Sequence, residues 1–335
     1  MPEYRQDPVS GSWVIMARER ADRPTEFAPQ PTHRRGAACP FCRGNELLTP
    51  PAVATYPSKV GNGEDAWEVR VIGNKYPAVT RLDGPSVPEE PENMLYPLHP
   101  GHGVHEVIIE SPDHATSLSE LTAQRATWSF LAYRDRLRAV AQVPGIRQGL
   151  VFKNCRAAGG ATLEHAHSQL LATSVMPPAL DRELLSAARY VTAVGDCLFC
   201  RILAHERASG QRMLAETEHF AAFCPFASRF PYETWVLPKE HRPDFRQEEL
   251  ENLAELSGLF QRIVRALEKV FAQAPYNFWI HTSPFDMPSH DYYHWHIELI
   301  SRIGTQAGFE WGSGCFVNPI TPEEGARDLR EAWER

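Results

Sequence analysis

Two short patterns recur in the same order in both halves of this 335-residue chain, and that recurrence constrains the fold more than any single residue does. Cys39-Pro40-Phe41-Cys42 is followed by His114 and then by His165-Ala166-His167. Cys197-Leu198-Phe199-Cys200 is followed by His241 and then by His294-Trp295-His296. The intermediate histidines close similar segments, EVIIESPDH and ETWVLPKEH, and precede the His-x-His by nearly equal intervals. Such ordering implies a duplicated domain, one copy in residues 1–178 and one in 179–335, each binding a metal. One position breaks the symmetry: Gln169 follows the first His-x-His, Glu298 the second.

The length suffices for two domains, each with its own core. A net charge of -8 and a pI near 6.0 argue against a nucleic-acid-binding face while leaving room for a small basic phosphate pocket. The opening MPEYRQDPVSGSWV lacks a signal pattern, and no apolar run reaches the roughly 18 residues of a membrane span, so the expected location is the cytoplasm. Four of the seven cysteines form the two Cys-x-x-Cys pairs, which in that compartment favours metal or redox use over disulfides. Cys155, Cys224 and Cys315 read as small core residues.

Residues 21–65 and 80–102, rich in Pro, Gly and charge, read as loops. Strands are expected at 67–72, 106–110, 149–152 and 167–173, with a helix over 117–140 capped by Ser117 and Glu120. The second copy repeats the order: strands at 220–223 and 234–237, a helix over 248–271, strands at 277–280 and 294–300. Residues 173–181 read as a linker and 322–333 as a closing helix. The fold class is α+β, an antiparallel sheet with flanking helices.

Two thiolates and two imidazoles suit tetrahedral zinc, and a two-residue gap lets both sulfurs of a pair reach one ion. The expected sites are Cys39, Cys42, His114 and His165, and Cys197, Cys200, His241 and His294. Neither leaves an open position, so both are expected to be structural. His167 then stands beside a metal-bound neighbour on the same strand face. A neutral imidazole attacks phosphorus near pH 7 without a separate base, and attack on the α-phosphorus of a nucleotide-sugar would give a covalent nucleotidyl-histidine. Gln169 lies on the same face. Its amide can donate to a phosphoryl oxygen but cannot protonate a leaving group, which favours transfer over hydrolysis. Gly159-Gly160 could bring backbone amides to a phosphate; Arg20 and Arg23 could supply charge, and Asn74 with Tyr76 could line a base pocket.

With CPFC at 39–42, SPDH at 111–114, HAHSQ at 165–169 and GFE at 308–310, the chain resembles the galactose-1-phosphate uridylyltransferase family, the transferase branch of the histidine-triad superfamily. The resemblance implies a duplicated histidine-triad-like fold and a homodimer with shared active sites. It implies that His167 takes up the nucleotidyl group while Gln169 holds the phosphoryl oxygens. Arg20 and Arg23 match diphosphate-binding arginines, Asn154, Gly160 and Thr162 a phosphate-side loop, and Glu310 a sugar-binding glutamate. UDP-glucose would give UMP to His167, and galactose 1-phosphate would accept it. The chain departs from the family in Ala166, where a proline is usual, in Asn74-Lys75-Tyr76, and in Phe309, where a sugar-side tyrosine is usual. The tail GFEWGSGCFVNP and the second Cys-x-x-Cys resemble ADP-glucose phosphorylases, a sister branch that transfers AMP to phosphate. Some family members bind a metal through residues matching Glu183, His281, His294 and His296. Since His294 cannot serve two sites, the cysteine set is the expected one. A dinucleotide hydrolase and a zinc-stabilised nucleotide-binding module without turnover are the other readings; His167 beside Gln169 speaks against both.

Overall fold

The computed structural model describes residues 3–16, 39–56, 67–82, 95–96, 98–287 and 292–334. A short hairpin, β1 (Glu3–Gln6) and β2 (Trp13–Met16), opens the chain. The first half then supplies β3 (Ala52–Tyr56), β4 (Val69–Gly73), β5 (Gly103–Ile109), helix α1 (Ala123–Val140), β6 (Gln148–Cys155) and β7 (His167–Thr173). After helices α2 (Pro178–Val194) and α3 (Leu198–Ser209), the second half supplies β8 (Met213–Glu216), β9 (Phe220–Phe223), β10 (Thr234–Pro238), helix α4 (Leu250–Val270), β11 (Tyr276–His281) and β12 (His296–Ser301). The chain closes with α5 (Gly308–Ser313), β13 (Phe316–Asn318), which joins β2 in parallel, and α6 (Pro322–Glu334).

Ten strands form one antiparallel sheet in the order β3-β4-β5-β7-β6-β11-β12-β10-β9-β8. Its two five-strand halves have the same internal order, joined back to back where β6 pairs with β11 from Val151↔Ile280 to Cys155↔Tyr276. The duplicated α+β architecture is therefore as the sequence implied. The two expected cores are one. α1 and α4 lie side by side on one sheet face, and Phe130 of α1 meets Phe260 of α4 with ring centroids 5.9 Å apart inside a continuous cluster drawn from both halves. Burying such side chains is worth roughly 1.5–3 kcal/mol each, so neither half keeps its stability without the other.

Strand alternation puts the chemistry on the opposite face. In β7, Leu170 and Ala172 point into the helix-covered core while His167 and Gln169 point away. In the first half that other face carries a small cluster of Phe41, Trp67, Ile72, Val107 and Ile109. In the second half it is sealed by α2 and α3, with Leu180, Leu184, Leu198, Phe199 and Leu203 packed on Phe223, Trp235 and Leu237.

Three boundaries differ from expectation. The helix expected from 117 begins at Ala123, because Glu120 turns back to Thr116 and Ser117 accepts from the Ser119 amide, closing a separate 3-10 turn. Thr122 caps α1 instead. β12 begins at His296, since the Trp295 amide bonds the Arg242 carbonyl and not a strand neighbour. The expected linker runs into α2, with Pro178 in its first turn, where a missing N–H costs nothing.

Candidate active site and metal centres

The loop before β3 brings Cys39 and Cys42 under His114 and His165, with all four ligand atoms within 4.8 Å of one another. Cys39 Sγ stands 3.5 Å from His165 Nδ1, and Cys42 Sγ stands 3.4 Å from His114 Nδ1 and 3.6 Å from His165 Nδ1. Ligand atoms about 2.0–2.3 Å from a tetrahedral ion are separated by about 3.5 Å, so these spacings suit one metal at the centre. His165 Nε2 donates to the Ser111 carbonyl at 2.8 Å, which leaves Nδ1 as the unprotonated ligand atom. Burial lowers the His165 pKa to about 4, keeping the ring neutral. Burial, with the Cys39 sulfur alongside, pushes the Cys42 thiol up to about 11, a resistance to ionisation that a cation between the sulfurs would remove.

The second half repeats this geometry. Cys197 sits at the N-cap of α3 and Cys200 in its first turn; Cys200 Sγ is 3.5 Å from both His241 Nδ1 and His294 Nδ1. His294 Nε2 bonds the Pro238 carbonyl at 3.0 Å, as His165 bonds Ser111.

His167 opens β7 and faces away from the helices. Its Nδ1–H donates to the His165 carbonyl at 2.7 Å, leaving the Nε2 lone pair free. The Phe41 ring stands edge-on to it, centroids 5.3 Å apart, and burial lowers its pKa, so the imidazole is neutral. Its carbonyl has no β6 partner, because β6 leaves β7 after Phe152↔Gln169. Lys153 Nζ fills the gap at 3.0 Å while pairing with Glu110 at 2.5 Å inside the sheet, and Tyr133 and Ser168 also donate to Glu110. This buried network fixes the strand from beneath.

Gln169 is two residues on. His105 Nε2 donates to Gln169 Oε1 at 2.9 Å and Asn74 Nδ2 approaches the same oxygen at 3.4 Å. Asn74, expected to line a base pocket, is thus bound to Gln169, while Tyr76 beside it is exposed. The β6–β7 loop turns through Arg156 and Gly160, both with positive φ. It holds Asn154 by an Asn277 amide that bonds Asn154 Oδ1 at 2.7 Å and the Gly159 carbonyl at 2.6 Å, and Thr162 is exposed at its tip. Glu310 lies on α5, beside β13, and accepts from the Ala307 amide; among the described residues no hydrogen bond joins it to the His167 group. Arg20 and Arg23 lie outside the described residues.

The rivalry expected over His294 does not arise. His294 faces the cysteines, and a separate buried group forms from Glu183, His281, His296 and Glu298, again with ligand atoms within 4.8 Å. His296 Nδ1 donates to the His294 carbonyl at 3.1 Å, and its Nε2 aims at this group without a hydrogen-bond partner, as does His281 Nδ1. Glu298 takes the position expected of His294. Burial opposes its ionisation, but Arg229, in direct contact, holds it well below the usual carboxylate range. His105 and Glu298 are the functional candidates that sequence reasoning missed. Strand alternation marks His105, since it shares a face with Val107, which pairs with Gln169.

A duplicated α+β sheet carrying one free histidine beside an oriented amide, with sulfur–imidazole clusters bracing both halves, defines a class of nucleotidyl-transferring enzymes. Residues 1–177 match the model for the galactose-1-phosphate uridyl transferase N-terminal domain, and residues 103–332 match a domain of unknown function (DUF4921). ADP-glucose phosphorylase of Arabidopsis thaliana is 35% identical over 98% of this chain and 93% of its own length. Galactose-1-phosphate uridylyltransferase of Thermotoga maritima is 28% identical over 99% of this chain and 98% of its own. The crystal structure of an Arabidopsis ADP-glucose phosphorylase with bound ADP-glucose superposes with a TM-score of 0.84 at 33% identity, covering 99% of both chains. The chain belongs to the galactose-1-phosphate uridylyltransferase family, whose relatives include the ADP-glucose phosphorylases, and is a nucleotidyltransferase.

Proposed function

We propose that the chain transfers a nucleotidyl group in two steps through His167, with ADP-glucose as donor and inorganic phosphate as acceptor. The observation that carries the reading is the free Nε2 of a neutral His167 two residues from an amide whose oxygen is already bound. In the first step the Nε2–P bond forms as the bond from the α-phosphorus to glucose 1-phosphate breaks. The ring becomes cationic, and its Nδ1–H, held by the His165 carbonyl, keeps its proton. The leaving group departs as a phosphate needing no proton, which suits an amide at position 169. In the second step a phosphate oxygen attacks the same phosphorus, and neutral imidazole is regenerated.

The adenine donor is favoured by the greater similarity to ADP-glucose phosphorylase. The second reading, uridylyl transfer from UDP-glucose to galactose 1-phosphate in galactose metabolism, is supported by the family model. Asn154, Gly160 and Thr162 would take the phosphates, Arg20 and Arg23 the diphosphate, and Glu310 the sugar, across a homodimer in the cytoplasm. Among the described residues no helix is long and apolar enough to cross a membrane. Two zinc ions would sit in the cysteine clusters as structural ties, and the Glu183 group suits a further divalent cation. We place the division between the halves at 178/179, at the start of α2.

Incubation with labelled ADP-glucose or UDP-glucose without acceptor should leave acid-labile label on the wild type and none on His167→Gly, with metal content unchanged. Label from UDP-glucose alone would move the assignment to the second reading. No label from either donor would end both.

A further inference from the structure

Gln169 is useful to a phosphoryl group only if its NH2 end, and not its carbonyl, faces the nucleophile, and an amide on a free rotor presents either. The structure fixes the choice. The Ala78 amide donates to His105 Nδ1 at 3.0 Å, so His105 carries its proton on Nε2, the atom 2.9 Å from Gln169 Oε1. Asn74 Nδ2 stands against both, 3.4 Å from the same oxygen and 3.1 Å from His105 Nε2, and Asn74 is itself pinned because its Oδ1 accepts from Tyr76 N and its backbone N–H donates to the His105 carbonyl at 2.9 Å. Both donors converge on one end of the amide, which leaves the two N–H bonds of Gln169 as the outward group. The second half shows the same position used otherwise. There Glu298, the counterpart of Gln169, is gripped by Arg229, a cation that suits a carboxylate. A neutral histidine suits an amide.

We propose that His105 is a positioning residue for nucleotidyl transfer: it locks Gln169 with its amide N–H groups toward the phosphoryl oxygens, and Asn74 assists. This deepens the proposed function and rests on it. Two orders follow. The lock acts on charge developing as the P–O bond breaks, so its loss should fall on the rate of His167 labelling more than on donor affinity. It acts only through Gln169, so its loss should have no consequence where Gln169 is absent.

The test is single-turnover labelling of His167 by whichever of ADP-glucose and UDP-glucose labels the wild type. His105→Phe, which keeps a ring and removes the donor, should slow labelling by about 10–100-fold with an apparent donor Kd within about threefold of wild type. His105→Asn, which can still donate, should recover most of the rate. In a Gln169→Ala background, His105→Phe should cause no further loss. Wild-type labelling with His105→Phe at the wild-type rate would overturn the inference alone, as would an equal loss in the Gln169→Ala background. Failure of the wild type to label would instead remove the nucleotidyl-transfer reading beneath it.

Discussion

Lys153 is a charged residue whose removal has a calculable consequence. Its side chain is 1% exposed, and that of its partner Glu110 is 0% exposed. In the wild type, burial opposes ionisation of Glu110, but Lys153, assisted by Ser168 and Tyr133, holds its pKa below the ordinary value. A folded-state pKa below the unfolded one adds stability that is present above the unfolded pKa and lost as pH falls. Lys153→Met keeps the volume and removes the cation, so the sign reverses. Glu110, buried without countercharge, keeps its proton in the folded state, while the unfolded chain releases it near pH ~4.3.

Holding that proton costs 2.303RT for each pH unit above the unfolded value, about 3.7 kcal/mol at pH 7 and about 1 kcal/mol at pH 5. The donor lost from the His167 carbonyl adds about 1 kcal/mol at either pH. At about 2.1 cal/mol/K per residue, the unfolding entropy of this chain is about 0.7 kcal/mol/K. The variant should therefore melt about 6–7 °C below wild type at pH 7 and about 3 °C below it at pH 5, each compared with wild type at the same pH. Scanning calorimetry at the two pH values, with metal content matched, measures this directly. Lys153→Met/Glu110→Gln has no titrating carboxyl and should show the same small deficit at both. A single-variant deficit equal at pH 5 and pH 7, or below about 1 °C at pH 7, would refute the account.

Cys39→Ser should remove one equivalent of bound zinc per chain and lower Tm, as elemental analysis and a melting scan would register; an unchanged metal count would show that this cluster is not a metal site. Gly159→Ala places a β-carbon 2.9 Å from the Tyr276 carbonyl of β11, a backbone atom that cannot swing aside. The β6–β7 loop must then shift, and single-turnover labelling of His167 should slow at least about tenfold for about 1–3 kcal/mol of lost stability; labelling at the wild-type rate would show that the loop plays no part in holding phosphate.

How far the sequence discloses this molecule depends on whether a signal is local. β7 and β9 are legible to the residue: burial along β7 alternates between a packed face and a more open one, and β9, Phe-Ala-Ala-Phe, is a short apolar run buried on both faces. The two cysteine clusters are legible because their spacing recurs. α2 is not, since Met176-Pro177-Pro178 reads as a breaker until the first turn of a helix is seen to tolerate proline. The Glu183 group is legible only through the family resemblance, which named Glu183, His281 and His296 but not Glu298, for its members come from α2, β11 and β12 and only the packed sheet brings them together. His105 carried a fair signal in the alternation of GVHEVII, but a lone histidine on a strand acquires meaning only with Gln169 diagonally across from it.

The same backbone plan has two outcomes, and what covers the face bearing each His-x-His decides between them. In the first half Val107 lies opposite Gln169, and His167 keeps 7% of its surface under a single Phe41 ring. In the second, Trp235 lies opposite Glu298, and His296 has no exposed surface beneath Phe199 and Trp235, ring centroids 4.9 and 5.3 Å away. Placing a glutamine at 298 would not make a second active site. It would leave Arg229 facing an amide in a buried position, still paired with Glu233, while α2 and α3 continued to exclude any diphosphate. The helices of the second half thus close the face that bears its His-x-His and turn those side chains into an inward-facing group.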